Sequence, residues 1–377
     1  MLVESDVMKK TGLFANGLLW FGAAVSIAEI EAGTRIGGCW SALLSGHLLG
    51  GLMLFAVGLI GAQTGKNAME TTSAAFGVNG MRLLAALNIV QLSGWTAVMI
   101  AQGGAAAARL TGSPSVPPVL ALAVVLGVSL FVTCGDRLHL ASVAMGLLAL
   151  LAVVLTARLV GVETAGTVAP PGFRTAFEIS VAMPLSWLPL ISDYTSTAAR
   201  PKTATAVSAG VYTLVSFWMY ALGMQIAGLG DGTLTDAVAV SGVGAVGLGV
   251  VVFSTVVSTF LDAYSSGESS RAVFPRAPVR VIGVAVAALG GALALAGIMD
   301  HYIGFLSCLS SVFAPMASVL VVDRYLVRRG RIRWNVCAWL AGVAAYHLAG
   351  FSPVGPTLTA VLVSAVLAST GRLLGKR

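Results

Sequence analysis

The stretch of sequence that decides the fold is SVAMPLSWLPLISDYTSTAAR, residues 180–200. It is apolar enough to enter a bilayer, yet Pro184 and Pro189 stand five residues apart inside it. Each proline removes a backbone N–H and clashes with the preceding turn, so the pair predicts a broken helix. Backbone freed in hydrocarbon must face protein or a polar cavity, as it does at the binding sites of many transporters. The stretch therefore predicts an internal binding site; a kinked helix that only packs against its neighbours is the alternative.

The composition is that of a membrane protein without a soluble domain. Of the 377 residues, 57% are hydrophobic and 10% are charged, whereas charged residues make up about a quarter of a soluble domain. The 45 glycines are typical of membrane helices that pack closely through small residues. An apolar run of about 20 residues is long enough to span a bilayer. The sequence predicts an all-α polytopic bundle over residues 1–377 with twelve spans: 14–34, 40–62, 80–108, 118–134, 138–160, 176–195, 204–228, 238–264, 279–299, 301–323, 335–350 and 353–374.

The positive charges are unevenly distributed over the two sides of this predicted bundle. With the amino terminus inside, eighteen Lys and Arg residues fall on that side and four on the other, namely Arg35, Arg109, Arg158 and Arg174. This positive-inside bias predicts a multi-pass protein of the cytoplasmic (inner) membrane with both termini in the cytoplasm. The net charge of +7 is then a topology signal, and no nucleic-acid partner is expected.

The first span carries two glutamates, Glu29 and Glu31, within or beside its apolar run. Residues two apart on a helix point to nearly opposite faces, so an unbroken helix would turn one carboxylate toward lipid. A carboxylate at the bilayer centre costs about 2.5–3.5 kcal/mol on insertion scales. We expect the helix to unwind near residues 24–28, with Glu29 facing the interior and Glu31 near the outer interface. Two glutamates that only cap the outer end are the alternative.

The third span carries a polar stripe made of Asn88, Gln91, Trp95 and Gln102. Their spacings of three, four and seven place all four side chains on one helical face. Such a face lines a cavity, where a ring stacks on the indole and an amide reads its edge, or it bonds a neighbouring helix. The preceding stretch, 62–80, is polar and rich in glycine and predicts a cytoplasmic loop.

The eighth span carries a stripe of hydroxyl side chains around one acid, Asp262. Hydroxyl oxygens suit a hard monovalent cation, and an acid inside a membrane is a functional hypothesis by default. The alternative for the hydroxyls is a bond to the carbonyl of their own preceding turn. The members of the stripe and its flank are Ser254, Thr255, Ser258, Thr259, Asp262, Ser265 and Ser269.

The order of the spans predicts two related halves. Residues 161–174, with two prolines and several glycines, separate five spans from the next five, and each half opens on an irregular helix. This is the layout of inverted repeats, here about 14–160 and about 176–326, followed by two extra helices at about 335–374. No nucleophile–base pair, phosphate-binding loop or metal-ligand spacing is found in the sequence, so an enzyme is not expected.

Five stretches, in order along the chain, resemble the nucleobase:cation symporter-1 family. The first and fourth are most similar to CytX-type carriers, which import hydroxymethylpyrimidine, a thiamin precursor. The resemblance implies a LeuT-like fold of two inverted five-helix repeats plus two C-terminal helices, twelve transmembrane helices in all. The stretches are WFGAAVSIAEIEAGT (20–34), LSGWTAVMIAQ (92–102), PLSWLPLISDYTS (184–196), STVVSTFLDAYSS (254–266) and FLSCLSSVFAPMASVLVVD (305–323).

The resemblance also implies the positions of two sites. One departure is Met99, which stands where hydantoin-type members place a glutamine one turn after the tryptophan, so base recognition is expected to differ. Carboxylates at the substrate site accept hydrogen bonds from an aminopyrimidine edge. The implied substrate-binding residues are Glu29, Gln91, Trp95, Ser186, Trp187 and Asp262. The implied sodium ligands, with the register uncertain by one residue, are Ala24, Ile27, Thr255, Ser258 and Thr259.

Together these features predict a secondary active transporter that imports a pyrimidine-type compound by cation symport and alternating access. Hydroxymethylpyrimidine is the favoured substrate, and a cytosine, purine or hydantoin permease of the same family is the alternative. A membrane sensor that binds without transport is a further alternative. No cofactor is expected; Na⁺ is the predicted coupling cation through the resemblance, and H⁺ stays open because Glu29 and Asp262 can also relay protons.

Overall fold

The computed structural model describes residues 12–114, 137–159, 171–229, 241–274, 278–328, 330–352 and 354–371, together with a few single positions between these ranges. Regular structure in the described residues is helical. We number the α-helices as follows: α1 Leu13–Ala24, α2 Ile27–Thr34, α3 Trp40–Thr64, α4 Ala68–Thr111, α5 Arg137–Leu159, α6 Phe173–Ser186, α7 Ile191–Thr195, α8 Pro201–Ile226, α9 Gly244–Val273, α10 Val279–Leu295, α11 Tyr302–Val321, α12 Ile332–Leu348 and α13 Pro356–Thr370.

The helices follow the predicted spans. Among the described residues, five helical segments are long and apolar enough to cross a membrane, and the bent pair α1–α2 makes a sixth if it counts as one span. Shorter apolar helices lie at three further predicted spans, at Val143–Leu159, Val279–Leu295 and Pro356–Thr370. The predicted span 118–134 and most of the predicted joint 161–174 lie outside the described residues.

The first span is broken where the two glutamates predicted it. Between α1 and α2 the backbone of Ser26 is extended, with φ −139° and ψ 142°, and the two helices are bent by 49°. The Ser26 hydroxyl accepts a hydrogen bond from the Ala28 amide at 3.2 Å and so caps α2. The prediction that this span unwinds near residues 24–28 is confirmed.

The sixth span is also broken, but later than the prolines alone suggest. Pro184 lies inside α6, and the helix ends at Ser186. The residues from Trp187 to Leu190, which include Pro189, form successive turns before the short helix α7 begins. Pro184 lies in the last turn of α6, and the helix tolerates the loss of that one backbone N–H. Pro189 lies beyond the end of α6, where its missing N–H prevents the helix from continuing.

Close packing brings α6 against α3. A Cβ atom at Gly46 would meet the Ser180 side chain, and one at Gly50 would meet the ring of Pro184. Glycine at these two positions therefore allows the backbones of the two helices to approach, as is common in membranes.

The two parts of the broken sixth span both contact α3 and differ in their further partners. In α7, Ser192 Oγ donates to the Val57 carbonyl at 3.2 Å and Thr195 Oγ1 donates to the Gly58 carbonyl at 2.7 Å. Asp193 Oδ1 accepts a bond from the Ala68 amide at 2.7 Å, at the start of α4. The α7 segment is thus attached to α3 and α4.

The α6 segment is attached to the carboxyl-terminal helices in addition to its packing on α3. Glu178 accepts hydrogen bonds from the Thr357 amide at 3.1 Å and from the Thr357 hydroxyl at 2.5 Å, at the start of α13. Arg174 Nη1 donates to the Gly350 carbonyl at 2.6 Å. A carboxylate at a helix amino terminus satisfies an amide that has no partner within the helix.

Two local features differ from the sequence-based expectation or from ordinary helix geometry. The predicted loop over 62–80 is helical from Ala68, because Asn67 and Glu70 form a capping box, and the chain then bends at Gly77, where φ is 71°.

The other feature lies at the end of α11, where a π-helix over Val322–Val327 ends at Arg328. Arg328 is the one non-glycine residue with a positive φ (58°) in the described part of the chain. A left-handed backbone costs a residue with a Cβ about 1–2 kcal/mol.

Candidate functional site

The two polar stripes of the third and eighth spans face each other. Thr255 of α9 packs where Gly103 of α4 leaves no room for a Cβ, and Asn88 Nδ2 donates to Ser269 Oγ at 3.0 Å. These two contacts fix an antiparallel register. Asp262 stands seven residues from each of the two α9 contacts, and Trp95 stands seven residues after Asn88. The register therefore places Asp262 at the level of Trp95.

Gln91 connects the third span to the break in the sixth. Its side chain is buried, and Nε2 donates to the Ser186 carbonyl and to Asn88 Oδ1, both at 2.9 Å. The Ser186 carbonyl is freed because α6 ends there. Gln91 Oε1 is buried and has no hydrogen-bond partner. A buried acceptor without a donor costs about 1–3 kcal/mol. Gln91 Oε1 therefore marks a place where a hydrogen-bond donor is missing.

Ser186 contributes its backbone to this site. Its hydroxyl donates to the Met183 carbonyl at 2.7 Å, inside α6. The Ser186 carbonyl is the atom that meets Gln91. The role that the sequence assigned to Ser186 therefore stays a prediction for its carbonyl oxygen, while its hydroxyl is engaged within the helix.

Trp187, at the start of the break, belongs to an aromatic cluster with Trp20, Tyr194 and Tyr212. The Trp20 ring lies 5.4 Å from the Trp187 ring, 5.7 Å from Tyr194 and 5.7 Å from Tyr212, each edge-on between centroids. Trp187 and Tyr212 are 5.9 Å apart. Trp187 is half-buried, whereas Trp20 is fully buried.

Trp20 is a residue that the sequence analysis did not single out. Its indole Nε1 is buried and has no hydrogen-bond partner. Tryptophan N–H groups usually find an acceptor when they are buried, so this atom is unusual. Its position in the apolar run of the first span, one turn before the break, gives no sign of the three rings around it.

Trp95, the predicted stacking residue on α4, is half-buried and meets Phe305 of α11 edge-on, with 5.1 Å between ring centroids. Gly94 makes this possible, because a Cβ there would meet the Phe305 ring. Asp262 is half-buried and lies within electrostatic range of the Tyr194 hydroxyl in α7. Gln91, Trp95 and Asp262 thus occupy neighbouring levels beside the sixth-span break.

Glu29 is buried, as the sequence predicted, and its partners lie on α8. Its Oε1 accepts from the Tyr212 hydroxyl at 2.6 Å and its Oε2 accepts from Ser216 Oγ at 2.7 Å. Glu31 lies outside this network and pairs with Arg35 at 2.7 Å. Both Glu29 oxygens already have a donor, so a contact with substrate would add to these bonds or replace one.

His47 extends the network from α8 to α3 and α6. Its Nε2 lies 2.8 Å from Ser216 Oγ, and its Nδ1 lies 2.9 Å from Ser180 Oγ. The sequence analysis gave this histidine no role. The chain of contacts from Glu29 through Ser216 and His47 joins the first-span break to the helix that leads into the sixth-span break.

The predicted cation ligands divide into two groups. Ala24 and Ile27 flank the first break and are buried. In a continuous helix the Ala28 amide would donate to the Ala24 carbonyl, but here it donates to Ser26 Oγ. The Ala24 carbonyl is thereby released from the helical pattern, which is the kind of oxygen that coordinates Na⁺ in broken membrane helices.

The hydroxyl groups of α9 are not equivalent. Ser254 Oγ donates to the Ala144 carbonyl at 3.4 Å, and Thr255 Oγ1 donates to the Val251 carbonyl of its own helix at 3.0 Å. Thr259 Oγ1 is buried without a partner, and Ser258 is half-buried. The Thr255 hydroxyl thus bonds the preceding turn of its own helix, which was the alternative to a cation ligand. The Thr259 hydroxyl oxygen is available to coordinate a cation.

The chain is similar to known proteins over nearly its whole length. No family model matches it. The cytosine permease of Escherichia coli strain K12 is 24% identical over 376 residues, which cover 93% of this chain and 88% of the permease. Permeases of two further Escherichia coli strains match at the same level.

Two solved structures resemble the chain over most of its length. One is Mhp1, a nucleobase-cation-symport-1 family transporter in a closed conformation with bromovinylhydantoin bound. Its TM-score is 0.72 at 17% identity, with 97% of this chain and 93% of that chain covered. The other is a Na⁺-coupled sialic acid symporter in a substrate-bound outward-open state. Its TM-score is 0.73 at 12% identity, with 98% of this chain and 91% of that chain covered.

These likenesses confirm the predicted all-α, LeuT-like fold. The relatives are transporters, which confirms the prediction that the chain is not an enzyme, and a permease relative together with apolar helices indicates a membrane protein. The permease and Mhp1 support the resemblance to the nucleobase:cation symporter-1 family.

Proposed function

We propose that the chain is a cation-coupled importer of a pyrimidine-type ring that works by alternating access. The observation that carries this proposal is the Gln91 side chain, which bonds the freed Ser186 carbonyl and keeps a buried oxygen without a donor. A ligand with an N–H group relieves the cost of that oxygen when it binds. The names of the permease and of Mhp1 support a substrate of nucleobase type.

Two indoles supply the stacking surface in this proposal. Trp95 lies one turn after Gln91 on α4, and Trp187 follows Ser186 at the start of the break. Because Gln91 Nε2 bonds the Ser186 carbonyl, both rings flank the same contact. A planar base inserted between two such rings gains about 1–3 kcal/mol per stack, as in proteins that bind single-stranded nucleic acids.

The polar atoms around this place define the edge of the substrate. Gln91 Oε1 and the Asp262 carboxylate are acceptors, and Nε1 of Trp20, whose ring meets Trp187, is a buried donor without a partner. A ring that presents amino or ring N–H donors beside a ring nitrogen or carbonyl acceptor complements this set. Aminopyrimidines have that pattern, which supports hydroxymethylpyrimidine as the favoured substrate; cytosine, a purine or a hydantoin is the alternative.

The coupling cation in this proposal is Na⁺, bound between carbonyls of the first break and hydroxyls of α9. The released Ala24 carbonyl and the unpartnered Thr259 hydroxyl support it, with Ile27, Ser258 and Thr255 as further predicted ligands. H⁺ is the alternative, with Glu29 and Asp262 as carriers. We place the chain in the cytoplasmic membrane with both termini inside and its two repeats in opposite orientation.

Uptake into proteoliposomes tests the proposal. The purified chain is given a panel of labelled pyrimidines, purines and hydantoins under an imposed Na⁺ gradient at fixed pH, and then under a pH gradient without Na⁺. Accumulation of a pyrimidine with Na⁺ is the expected result. Accumulation driven by the pH gradient without Na⁺ would show that the coupling ion is H⁺. Binding without accumulation would indicate a membrane sensor.

A further inference from the structure

A cavity of about 490 Å³ lies away from the site described above, where α3 ends, α4 begins and α11 ends. Its walls carry polar and charged side chains, among them Gln63, Lys66, Arg324, Tyr325 and Arg328. Ligand pockets commonly occupy about 300–1,000 Å³, so the volume is adequate for a small molecule or a headgroup. The positive-inside distribution assigns this end of the bundle to the cytoplasm.

The cavity has a surplus of positive charge that the protein does not neutralise. Its one acid, Asp323, is buried, and Oδ1 accepts from the Gly330 amide at 2.7 Å and from Asn335 Nδ2 at 2.8 Å. In the described part of the chain the one ion pair within 4.0 Å is Arg35–Glu31, at the opposite end of α3. Lys66, Arg324 and Arg328 therefore line the cavity without a carboxylate partner.

The backbone at Arg328 breaks a local rule. Helices that end in a left-handed residue usually place glycine there, because glycine carries no Cβ. Here Arg328 holds that conformation, with φ 58°, and its amide donates to the Asp323 carbonyl at 2.7 Å. A strained residue that persists is a reason to look for a function of its side chain, and this side chain lines the cavity.

Two hydrogen-bond donors of the cavity are also incompletely used. Arg324 Nη2 and the Tyr325 hydroxyl both approach Gln63 Oε1, each at 3.5 Å. These separations lie at the long limit of a hydrogen bond, so both donors are available to a stronger acceptor. Guanidinium groups match the geometry of phosphate oxygens and bind them in pairs.

We propose that this cavity is a second ligand site, specific for a phosphate-bearing anion and separate from the transport site. The phosphate comes from the headgroup of an anionic lipid or from a free phosphate compound of the cytoplasm. The inner leaflet supplies the first source, since basic pockets between helices on that side bind anionic headgroups.

The test uses the purified full chain and reads binding without transport, so it does not depend on the proposed function. In the first arm, nanodiscs of phosphatidylcholine receive increasing phosphatidylglycerol, and the unfolding temperature of the chain is followed. In the second arm, inorganic phosphate is titrated in phosphatidylcholine alone. Stabilisation in the first arm only identifies a lipid headgroup, and stabilisation in the second identifies a free phosphate.

Three variants decide whether the cavity is responsible. Arg324→Gln and Arg328→Gly are expected to weaken the effect of the probe at least about tenfold, since each removes a charge-assisted bond to phosphate. Arg328→Gly relieves the strained backbone, so without any probe the variant unfolds at the same or a higher temperature. Arg331→Gln, outside the cavity wall but at the same end of the molecule, is the matched control and leaves the effect unchanged.

The proposal is overturned if neither probe stabilises the unaltered chain. It is also overturned if Arg331→Gln loses as much as the two cavity variants, because the effect is then a general attraction of the basic surface. If Arg328→Gly unfolds at a lower temperature without any probe, the Arg328 guanidinium has a structural role. Binding is then judged from Arg324→Gln, and an unchanged probe effect in that variant overturns the proposal.

Discussion

The two broken helices differ in how their freed polar groups are satisfied. At the first break, Ser26 caps α2, the Tyr302 hydroxyl donates to the Ala28 carbonyl at 3.0 Å, and Glu29 accepts two hydroxyl bonds from α8. At the sixth break, Gln91 bonds one freed carbonyl and its own Oε1 has no partner; Nε1 of Trp20, whose ring meets Trp187 edge-on, has none either. The first break is closed mainly by the protein itself, and the sixth leaves bonds for another molecule.

This difference supports the proposed binding of the ion at the first break and of the substrate at the sixth. A break closed by buried side chains from α8 and α11 is fixed in shape, which suits backbone carbonyls that hold a small ion. A break surrounded by aromatic rings and unpaired donors and acceptors suits a flat polar ring. The comparison thus predicts that changes at the first break affect stability and ion coupling, whereas changes at the sixth affect substrate affinity.

The largest effect is expected for Glu29→Ala. It leaves the buried Tyr212 hydroxyl without its acceptor, which costs about 1–3 kcal/mol, and it removes one of the two partners of Ser216 Oγ, the other being His47. We expect a clearly lower unfolding temperature in detergent. Glu31→Ala is the matched control two residues away, because it removes only the Arg35 pair, and such pairs contribute about 0–1 kcal/mol. Equal losses in the two variants would show that the first break does not depend on its buried network.

Trp95→Ala and Trp187→Ala are expected to weaken substrate binding without abolishing membrane insertion. Each removes one face of the proposed stack, worth about 1–3 kcal/mol or roughly 5–150-fold in affinity. Equilibrium binding to the purified variants measures this. Trp40→Ala, which removes a tryptophan that is 56% exposed, is the control. Wild-type affinity in both variants would show that the two rings serve core packing and do not bind the substrate.

Thr259→Ala tests the ion at the first break. Alanine is tolerated in the helix, and the variant deletes one oxygen while the backbone ligands remain. Because cation and substrate raise each other's affinity by the same factor, typically about 5–150-fold, the variant should weaken Na⁺ binding and erase the Na⁺ enhancement of substrate affinity. Substrate affinity without Na⁺ should stay nearly unchanged.

Substrate titrations with and without Na⁺ measure this coupling. Thr255→Ser is a useful companion, because Thr255 Oγ1 already bonds the Val251 carbonyl and serine keeps that hydroxyl. Full Na⁺ enhancement in Thr259→Ala would mean that the hydroxyls of α9 serve helix packing and that the cation lies elsewhere.

The smallest effect is expected for Trp20→Phe, which keeps a ring in the aromatic cluster and removes only the N–H. One neutral hydrogen bond contributes about 0.5–1.5 kcal/mol, so substrate affinity should fall about 2–10-fold. Trp218→Phe is the matched control, since its Nε1 donates to Thr156 Oγ1 at 3.0 Å inside the protein. If Trp20→Phe binds substrate like the unaltered chain, the neighbouring ring faces already satisfy its N–H.

The backbone of both sites was predictable from sequence, and the pairing of their side chains was not. Pro184 and Pro189 in one apolar run, and Glu29 and Glu31 in another, are residues that an unbroken membrane helix does not accommodate. Each pair predicts a break that the structure confirms. The residue at which α6 ends could not be predicted, because a proline late in a helix is tolerated. Helical spacing also placed Asn88 and Gln91 on one buried face.

The partners of these residues depend on contacts between distant segments. Glu29 meets hydroxyls 183 and 187 residues away, and nothing in the sequence near Tyr212 indicates an acid. Thr255 and Thr259 lie one turn apart on the same face, yet one bonds its own helix and the other has no partner. Trp20 was missed for the same reason: a single tryptophan in an apolar span reads as core until the rings around it are known.

The attachments of the sixth span determine how the molecule can move. Its lower part, α7, is fastened to α3 and to the first residue of α4, and its upper part, α6, is fastened to the start of α13. The four residues between them connect two helices that share α3 as a neighbour, through Ser180 and Ser192, but differ in their other anchor. A shift of α13 relative to α4 would therefore strain the backbone at Trp187–Leu190, next to the Ser186 carbonyl that Gln91 bonds. In the proposed transporter, such a shift would couple a movement of the helices to the affinity for the substrate.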